Sequence, residues 1–171
     1  SGFRDTARVP ELPEVETIRR QLEPVLVGER LFVADRAYKL TMLDALTGER
    51  LGMIEKCVAV GASPDGQSAY VRHTDNRVSK LDAEGGVVWT TEAPTGAIPA
   101  APVCAYGRVL VASNLGVVSM LDAESGALLW SYCAFRDSFV FGSPAYDGRH
   151  VYVVDAAGRL VVLQPSAETT G

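Results

Sequence analysis

The residue types that could carry out chemistry are few in this chain, and they lie far apart. Its 171 residues include two histidines, His73 and His150, and three cysteines, Cys57, Cys104 and Cys133. Histidines and paired cysteines are the usual ligands of zinc, but no Cys-x-x-Cys pair is present. His73 and His150 fall in different repeats of the pattern described below. We therefore predict structural histidines, partly buried thiols and no metal site.

Aspartate recurs at a fixed place in the pattern. Asp44, Asp82 and Asp122 each follow a leucine, precede an alanine and stand four residues before a glycine. Such carboxylates could bind a cation, or they could accept backbone N–H groups in a tight turn. Because glycine supplies the positive φ that many turns need, the recurrence favours turns between strands. We predict no metal or cofactor at these positions.

These aspartates belong to a repeated unit of short strands. The leucines at 43, 81, 121 and 163 lie about 40 residues apart, and each unit offers alternating apolar strands separated by glycine-containing turns. Trp89 and Trp130 close the second and third copies, and Met53 or Ile54 is expected to take that place in the first. The predicted fold class is all-β, with about four four-stranded β-propeller blades.

The predicted organisation places one short helix before the repeats. Pro13 suits its first turn, and Val15, Ile18 and Leu22 form an apolar stripe. The fourth repeat has no candidate for a last strand, which would leave a free edge. The N-terminal residues could supply this strand and close a four-bladed ring, but we expect self-association or a larger parent protein to complete the ring. The expected segments are a tail and helix at 1–22, repeats at about 23–56, 57–94, 95–135 and 136–165, and a tail at 166–171.

The repeat resembles the pyrroloquinoline-quinone-type β-propeller repeat, a WD40-like architecture. The clearest copy runs from Gly107 to Trp130 and contains a Gly-x-Val strand, a glycine hairpin and Leu-Asp-Ala-x-x-Gly before the tryptophan. The resemblance covers about residues 23–165 and implies a repeat fold that often serves as an interaction scaffold. Family enzymes that bind the quinone use adjacent cysteines and a calcium site, and this chain has no adjacent cysteines. The resemblance therefore implies a protein without cofactor.

A second resemblance lies at the N-terminus. Residues 10–17, Pro-Glu-Leu-Pro-Glu-Val-Glu-Thr, look like the amino terminus of formamidopyrimidine-DNA glycosylases. The resemblance implies Pro10 as nucleophile and Glu11 as its acid partner. Here nine residues precede Pro10, so its nitrogen is a tertiary amide without the free lone pair that a Schiff base requires. A DNA glycosylase, or a fragment or chimera of one, is the alternative function.

The most distinctive non-repeating stretch is aromatic and links the third and fourth units. Aromatic and arginine side chains anchor many interfaces, although these aromatics could instead fill the core between sheets. A net charge of −5 argues against nucleic-acid binding, and no apolar run approaches the ~20 residues of a membrane span. We predict a non-enzymatic scaffold that binds a protein partner or a second copy completing the ring. The candidate contact residues are Tyr132, Phe135, Arg136, Phe139 and Phe141.

Overall fold

A computed structural model describes residues 24–94, 100–140 and 142–164, and their regular structure consists of β-strands. The all-β prediction is therefore confirmed, while the predicted helix between Pro13 and Leu22 lies outside the described residues. The strands are Val25–Val27 (β1), Arg30–Ala34 (β2), Lys39–Asp44 (β3), Arg50–Glu55 (β4), Cys57–Ala62 (β5), Ala69–His73 (β6), Arg77–Leu81 (β7), Val87–Glu92 (β8), Val103–Ala105 (β9), Arg108–Ala112 (β10), Val117–Asp122 (β11), Leu128–Cys133 (β12), Ala145–Tyr146 (β13), Val151–Val154 (β14) and Leu160–Leu163 (β15).

The strands form four antiparallel sheets in which chain neighbours are hydrogen-bonded neighbours. Sheet 1 contains β1–β4, sheet 2 contains β5–β8 and sheet 3 contains β9–β12. Sheet 4 contains β13–β15, so its described part has three strands. Short turns suffice because each strand reverses onto the previous one. The first strands of sheets 1, 2 and 3 lie side by side, and the fourth strands lie at the outer edge with mostly exposed residues.

The recurring aspartates close the turn between the third and fourth strands. The Asp122 carboxylate accepts the backbone N–H groups of Glu124 and Ser125 at 3.1 and 2.9 Å. Asp44 and Asp82 do the same in sheets 1 and 2. The turn of sheet 3 ends at Gly126, whose φ of +74° disfavours a side chain. These aspartates are turn residues, as the recurrence predicted.

The core lies between the sheets because successive side chains on a strand point to opposite faces. In sheet 3, Val109 and Val111 pack against sheet 2, whereas Leu110 and Ala112 pack against sheet 4. We call the face toward the preceding sheet the leading face and the face toward the following sheet the trailing face. Each internal interface therefore joins one trailing face to one leading face.

The strand register assigns four equivalent trailing positions to every sheet, two on its second strand and two on its third. They are Phe32, Ala34, Leu40 and Met42 in sheet 1, Tyr70, Arg72, Val78 and Lys80 in sheet 2, Leu110, Ala112, Val118 and Met120 in sheet 3, and Tyr152, Val154, Leu160 and Val162 in sheet 4.

The tryptophans pack one sheet onto the next, and here the expectation for sheet 1 was wrong. Trp89 stands opposite Lys80 in the register, and its indole N–H donates to the carbonyl of Ala123 in sheet 3 at 3.3 Å. The equivalent position in sheet 1 is Gly52, opposite Met42, rather than Met53 or Ile54. The Met42 side chain fills the vacated space and reaches Gly85 of sheet 2. A flexible thioether from the neighbouring strand thus replaces the ring.

Candidate protein-interaction surface

The predicted aromatic stretch divides into a buried and an exposed part. Phe135 is only 4% exposed and lies with Val140 in the core between sheets 3 and 4. Phe135 is therefore not available as a contact residue, because the segment after β12 turns inward to cover the trailing face of sheet 3. Tyr132 and Phe139 are each 54% exposed, and Arg136 is exposed as well. Phe141 lies outside the described residues.

Ion pairs and a cation–π contact made by Arg159 hold this segment against sheet 4. The Arg159 guanidinium lies 5.4 Å from the centre of the Phe135 ring and donates to Asp137 at 2.8 Å and Asp155 at 2.7 Å. The hydrogen bonds with Asp137 and then Asp155 raise the pKa of Arg159, and its guanidinium lowers the pKa of Asp137. Cation–π contact and paired charges together fix the course of the segment.

The exposed part joins the turn between β10 and β11. The Gly116 carbonyl accepts the N–H of Ala134 at 2.9 Å. A Cβ built on Gly116 would collide with the Phe135 carbonyl and lie 3.1 Å from that of Ser138. Leu115, which precedes this glycine, is exposed. We call the resulting surface the rim surface, and its members are Leu115, Tyr132, Arg136 and Phe139.

An open cleft of about 500 Å³ adjoins the rim surface where sheets 2 and 3 meet. Asp75 in this cleft accepts a bidentate pair of bonds from Arg77, at 2.6 and 3.0 Å. The Arg77 hydrogen bonds lower the pKa of Asp75, so this carboxyl group is ionised at neutral pH. Leu115 belongs to both the cleft and the rim surface. The residues that line the cleft are Asp75, Asn76, Glu92, Ala93, Pro94 and Leu115.

The chemistry-bearing residues do not converge on one centre. His73 is buried in sheet 2 with Nε2 2.8 Å from Ser79 Oγ, whereas His150 contacts Asp147 in sheet 4. Cys57 is buried, and burial raises the pKa of its thiol to about 12, which leaves it protonated. Across residues 24–94, 100–140 and 142–164, no cluster of three or more His, Cys, Asp or Glu side chains could hold a metal ion.

Four meandering antiparallel sheets packed face to face define a β-propeller repeat protein. The sequence model of one such family, described as outer membrane protein assembly factor BamB, matches residues 74–169. The chain belongs to this pyrroloquinoline-quinone-type repeat family. The resemblance read from the repeated motifs is thereby confirmed.

Individual relatives agree with this assignment. The BamB of Bordetella pertussis is 31% identical over 111 residues, which are 63% of this chain and 28% of that protein. The crystal structure of BamB from Moraxella catarrhalis superposes with a TM-score of 0.65 at 22% identity, covering 82% of this chain and 45% of that one. The computationally designed Ika4 protein gives a TM-score of 0.68 at 16% identity, covering 84% of this chain and 92% of that one. The chain thus spans less than half the length of these BamB proteins.

The glycosylase resemblance is short. A formamidopyrimidine-DNA glycosylase of Dinoroseobacter shibae is 67% identical over 27 residues, which are 16% of this chain and 10% of that protein. Pro10 and Glu11 lie outside the described residues. The similarity therefore does not favour the glycosylase alternative over the propeller. The described residues contain no helix that is long and apolar enough to cross a membrane.

Proposed function

We propose that this chain is a non-enzymatic interaction scaffold that binds a protein of an outer-membrane assembly machinery through its rim surface. The observation that carries the proposal is the exposure of apolar side chains at one end of two neighbouring sheets. Leu115 and Phe139 are 68% and 54% exposed, and their loops are packed against each other. Fixed aromatic and aliphatic anchors next to an open cleft are typical of protein-binding surfaces.

The charges beside these anchors indicate the chemistry of the partner. Glu92 and Asp75 line the cleft, and Asp75 is already paired with Arg77. We therefore expect the partner to insert an apolar side chain against Leu115 and to bring a basic group toward Glu92. An acidic group on the partner would pair with Arg136 on the other side of the anchors. The family description of BamB as an assembly factor supports an outer-membrane assembly protein as this partner.

Photo-crosslinking tests this proposal directly. The purified chain carries a photoreactive group at position 115 or 139 and is irradiated with solubilised bacterial outer membranes. We expect both positions to give an adduct with the same assembly protein, identified by mass spectrometry. Introducing Arg136→Glu should weaken both adducts by reversing the charge beside the anchors.

The matched control places the photoreactive group at position 88. Val88 is exposed to a similar degree, 52%, but lies on the outer strand β8. An equally strong adduct from position 88, or adducts with unrelated proteins from positions 115 and 139, would contradict the proposal. Phe135→Ala is unsuitable as a binding variant because removing this buried ring should destabilise the fold by about 3–5 kcal/mol.

A further inference from the structure

The three methionines of the chain stand in three different environments. Met53 is 39% exposed on the outer strand β4, whereas Met120 is only 3% exposed in the core between sheets 3 and 4. Met42 is half-buried on sheet 1, where it packs against the core between sheets 1 and 2. Because a thioether is oxidised when an oxidant can reach its sulfur, we expect the three side chains to react differently.

Met42 and Met120 occupy equivalent trailing positions but have different neighbours on their own sheets. Met120 stands opposite Trp130 in the strand register, and this ring packs against the same core. Met42 stands opposite Gly52, which has no side chain. No ring of its own sheet therefore shields the Met42 thioether, in agreement with its greater exposure.

The Met42 side chain joins sheet 1 to the turn between β7 and β8 of sheet 2. A Cβ built on Gly85 of this turn would collide with the Met42 sulfur, and one built on Gly52 would lie 2.5 Å from the Met42 methyl carbon. The thioether is thus wedged between two glycines, one on each sheet. Because interiors are close-packed, an additional atom on the sulfur would force the turn away from sheet 1.

The hydrogen-bond donors of this turn already have acceptors. Gly85 donates its N–H to the Asp82 carbonyl at 3.1 Å, and Gly86 donates to the Asp82 carboxylate at 2.7 Å. Arg30 of sheet 1 reaches the same turn and donates to the Ala83 carbonyl at 2.8 Å. A new oxygen on the sulfur would compete for these donors or stay unpaired, and an unpaired buried acceptor is destabilising.

From this geometry we propose that Met42 is a reversible oxidation site that controls the packing of sheet 1 against sheet 2. The oxidant is a hydroperoxide. Its O–O bond breaks as one oxygen atom is transferred to the sulfur, which supplies the electron pair of the new S–O bond, and the peroxide is reduced to water or an alcohol. The inference is independent of the proposed function, since Met42 lies outside the rim surface.

The reverse reaction restores the contact. A methionine sulfoxide reductase removes the oxygen as water while two thiol groups of the reductant form a disulfide. The sulfur thereby regains its thioether form, which fits between the two glycines.

Limited peroxide treatment followed by peptide mass spectrometry tests the order of reaction. In the folded chain, Met53 should gain oxygen first and Met42 second, and Met120 should react at least roughly ten times more slowly than Met42 because it is sealed. In urea the three rates should become equal. Equal rates for Met42 and Met120 in the folded chain would contradict the proposal.

A matched pair of variants tests the structural consequence. Met53→Leu leaves Met42 as the reachable methionine, and Met42→Leu in the same background removes it with little change in volume. Both variants keep the exposed Cys133, so its oxidation affects both alike. Peroxide should lower the melting temperature of the first variant by roughly 2–4 °C and leave that of the second unchanged.

Hydrogen exchange shows where the change occurs. Oxidation of Met42 should accelerate exchange in the β7–β8 turn and leave the β11–β12 turn unaffected. The two epimer-specific methionine sulfoxide reductases, with a thiol reductant, should reverse both the exchange and the melting shift. Three results would overturn the proposal: complete oxidation of Met42 without a melting shift, an equal shift in the Met42→Leu variant, or a sulfoxide that the reductases fail to remove from the chain.

Discussion

Sheets 3 and 4 present the same face in two different states. In sheet 3, Leu110, Val118 and Met120 are sealed against the next sheet, while in sheet 4, Leu160 and Val162 stand in solvent. The side chains are of one kind, so hydrophobicity alone does not distinguish a finished interface from an unfinished one. The difference lies in whether the described residues supply a following sheet that covers the face. Comparison of repeats within one chain thus reveals an exposed apolar face that composition alone would not show.

Truncating equivalent side chains should show the largest difference between the two faces. Met120→Ala should lower the free energy of unfolding by about 2–5 kcal/mol, because it empties part of a sealed core. Val162→Ala should change it by no more than about 0.5 kcal/mol, because this side chain is half-exposed. Urea denaturation at high dilution measures both. Equal costs would mean that the two faces are equally covered.

Adding a methyl group to equivalent glycines separates backbone strain from crowding between sheets. Gly48 and Gly126 have φ values of +73° and +74°, so alanine strains both turns by about 1–2 kcal/mol. At Gly126 the new methyl group would also lie 2.6–2.9 Å from atoms of the Trp89 ring. Gly126→Ala should therefore cost about 1–3 kcal/mol more than Gly48→Ala, as measured by chemical denaturation. Trp89→Leu serves as control and should remove most of this difference.

The two tryptophans provide a smaller contrast. Trp89 donates its indole N–H to Ala123, while the buried N–H of Trp130 has no hydrogen-bond partner among the described residues. Trp89→Phe should thus cost about 0.5–1.5 kcal/mol more than Trp130→Phe, because only the former loses a bond. Thermal denaturation of both variants measures the difference. A greater loss for Trp130→Phe would show that this ring contributes a contact that the described residues do not contain.

Protonation of the buried His73 should make the free energy of unfolding depend on pH. Burial, and to a smaller extent Arg77, lowers the pKa of His73 below its usual value of about 6.5. Below that pH the unfolded chain binds a proton that the folded chain accepts only at lower pH, so stability falls as the pH falls. His73→Gln should flatten this part of the profile of unfolding free energy between pH 7 and 5. A profile unchanged by His73→Gln would contradict this assignment.

The repeats made most of the fold predictable. Leu-Asp-Ala followed by glycine marks the turn between the third and fourth strands in sheets 1, 2 and 3, because this turn needs a carboxylate and a glycine close together in the sequence. Contacts between repeats were harder to predict from the sequence. In sheet 1, Gly52 stands at the tryptophan position, and the side chain of Met42 on the neighbouring strand fills the space. The sequence of β4 alone therefore led to the wrong prediction of Met53 or Ile54. The burial of Phe135 depends on the direction of its connecting segment, which its aromatic neighbours do not determine.

The candidate site shows the same limit. Tyr132, Arg136 and Phe139 were identifiable because aromatic and arginine residues outside the repeat are typical of contact surfaces. Leu115 was missed, since it stands in a turn shared by every repeat.

Photo-crosslinking from the rim surface tests most directly whether this chain is an interaction scaffold. A photoreactive group at position 115 or 139 should yield adducts with one and the same assembly protein, because Leu115 and Phe139 are exposed on loops that pack against each other. The same group at position 88 on the outer strand β8 should give a much weaker adduct. Equally strong adducts from all three positions, or adducts with unrelated proteins from positions 115 and 139, would contradict the account.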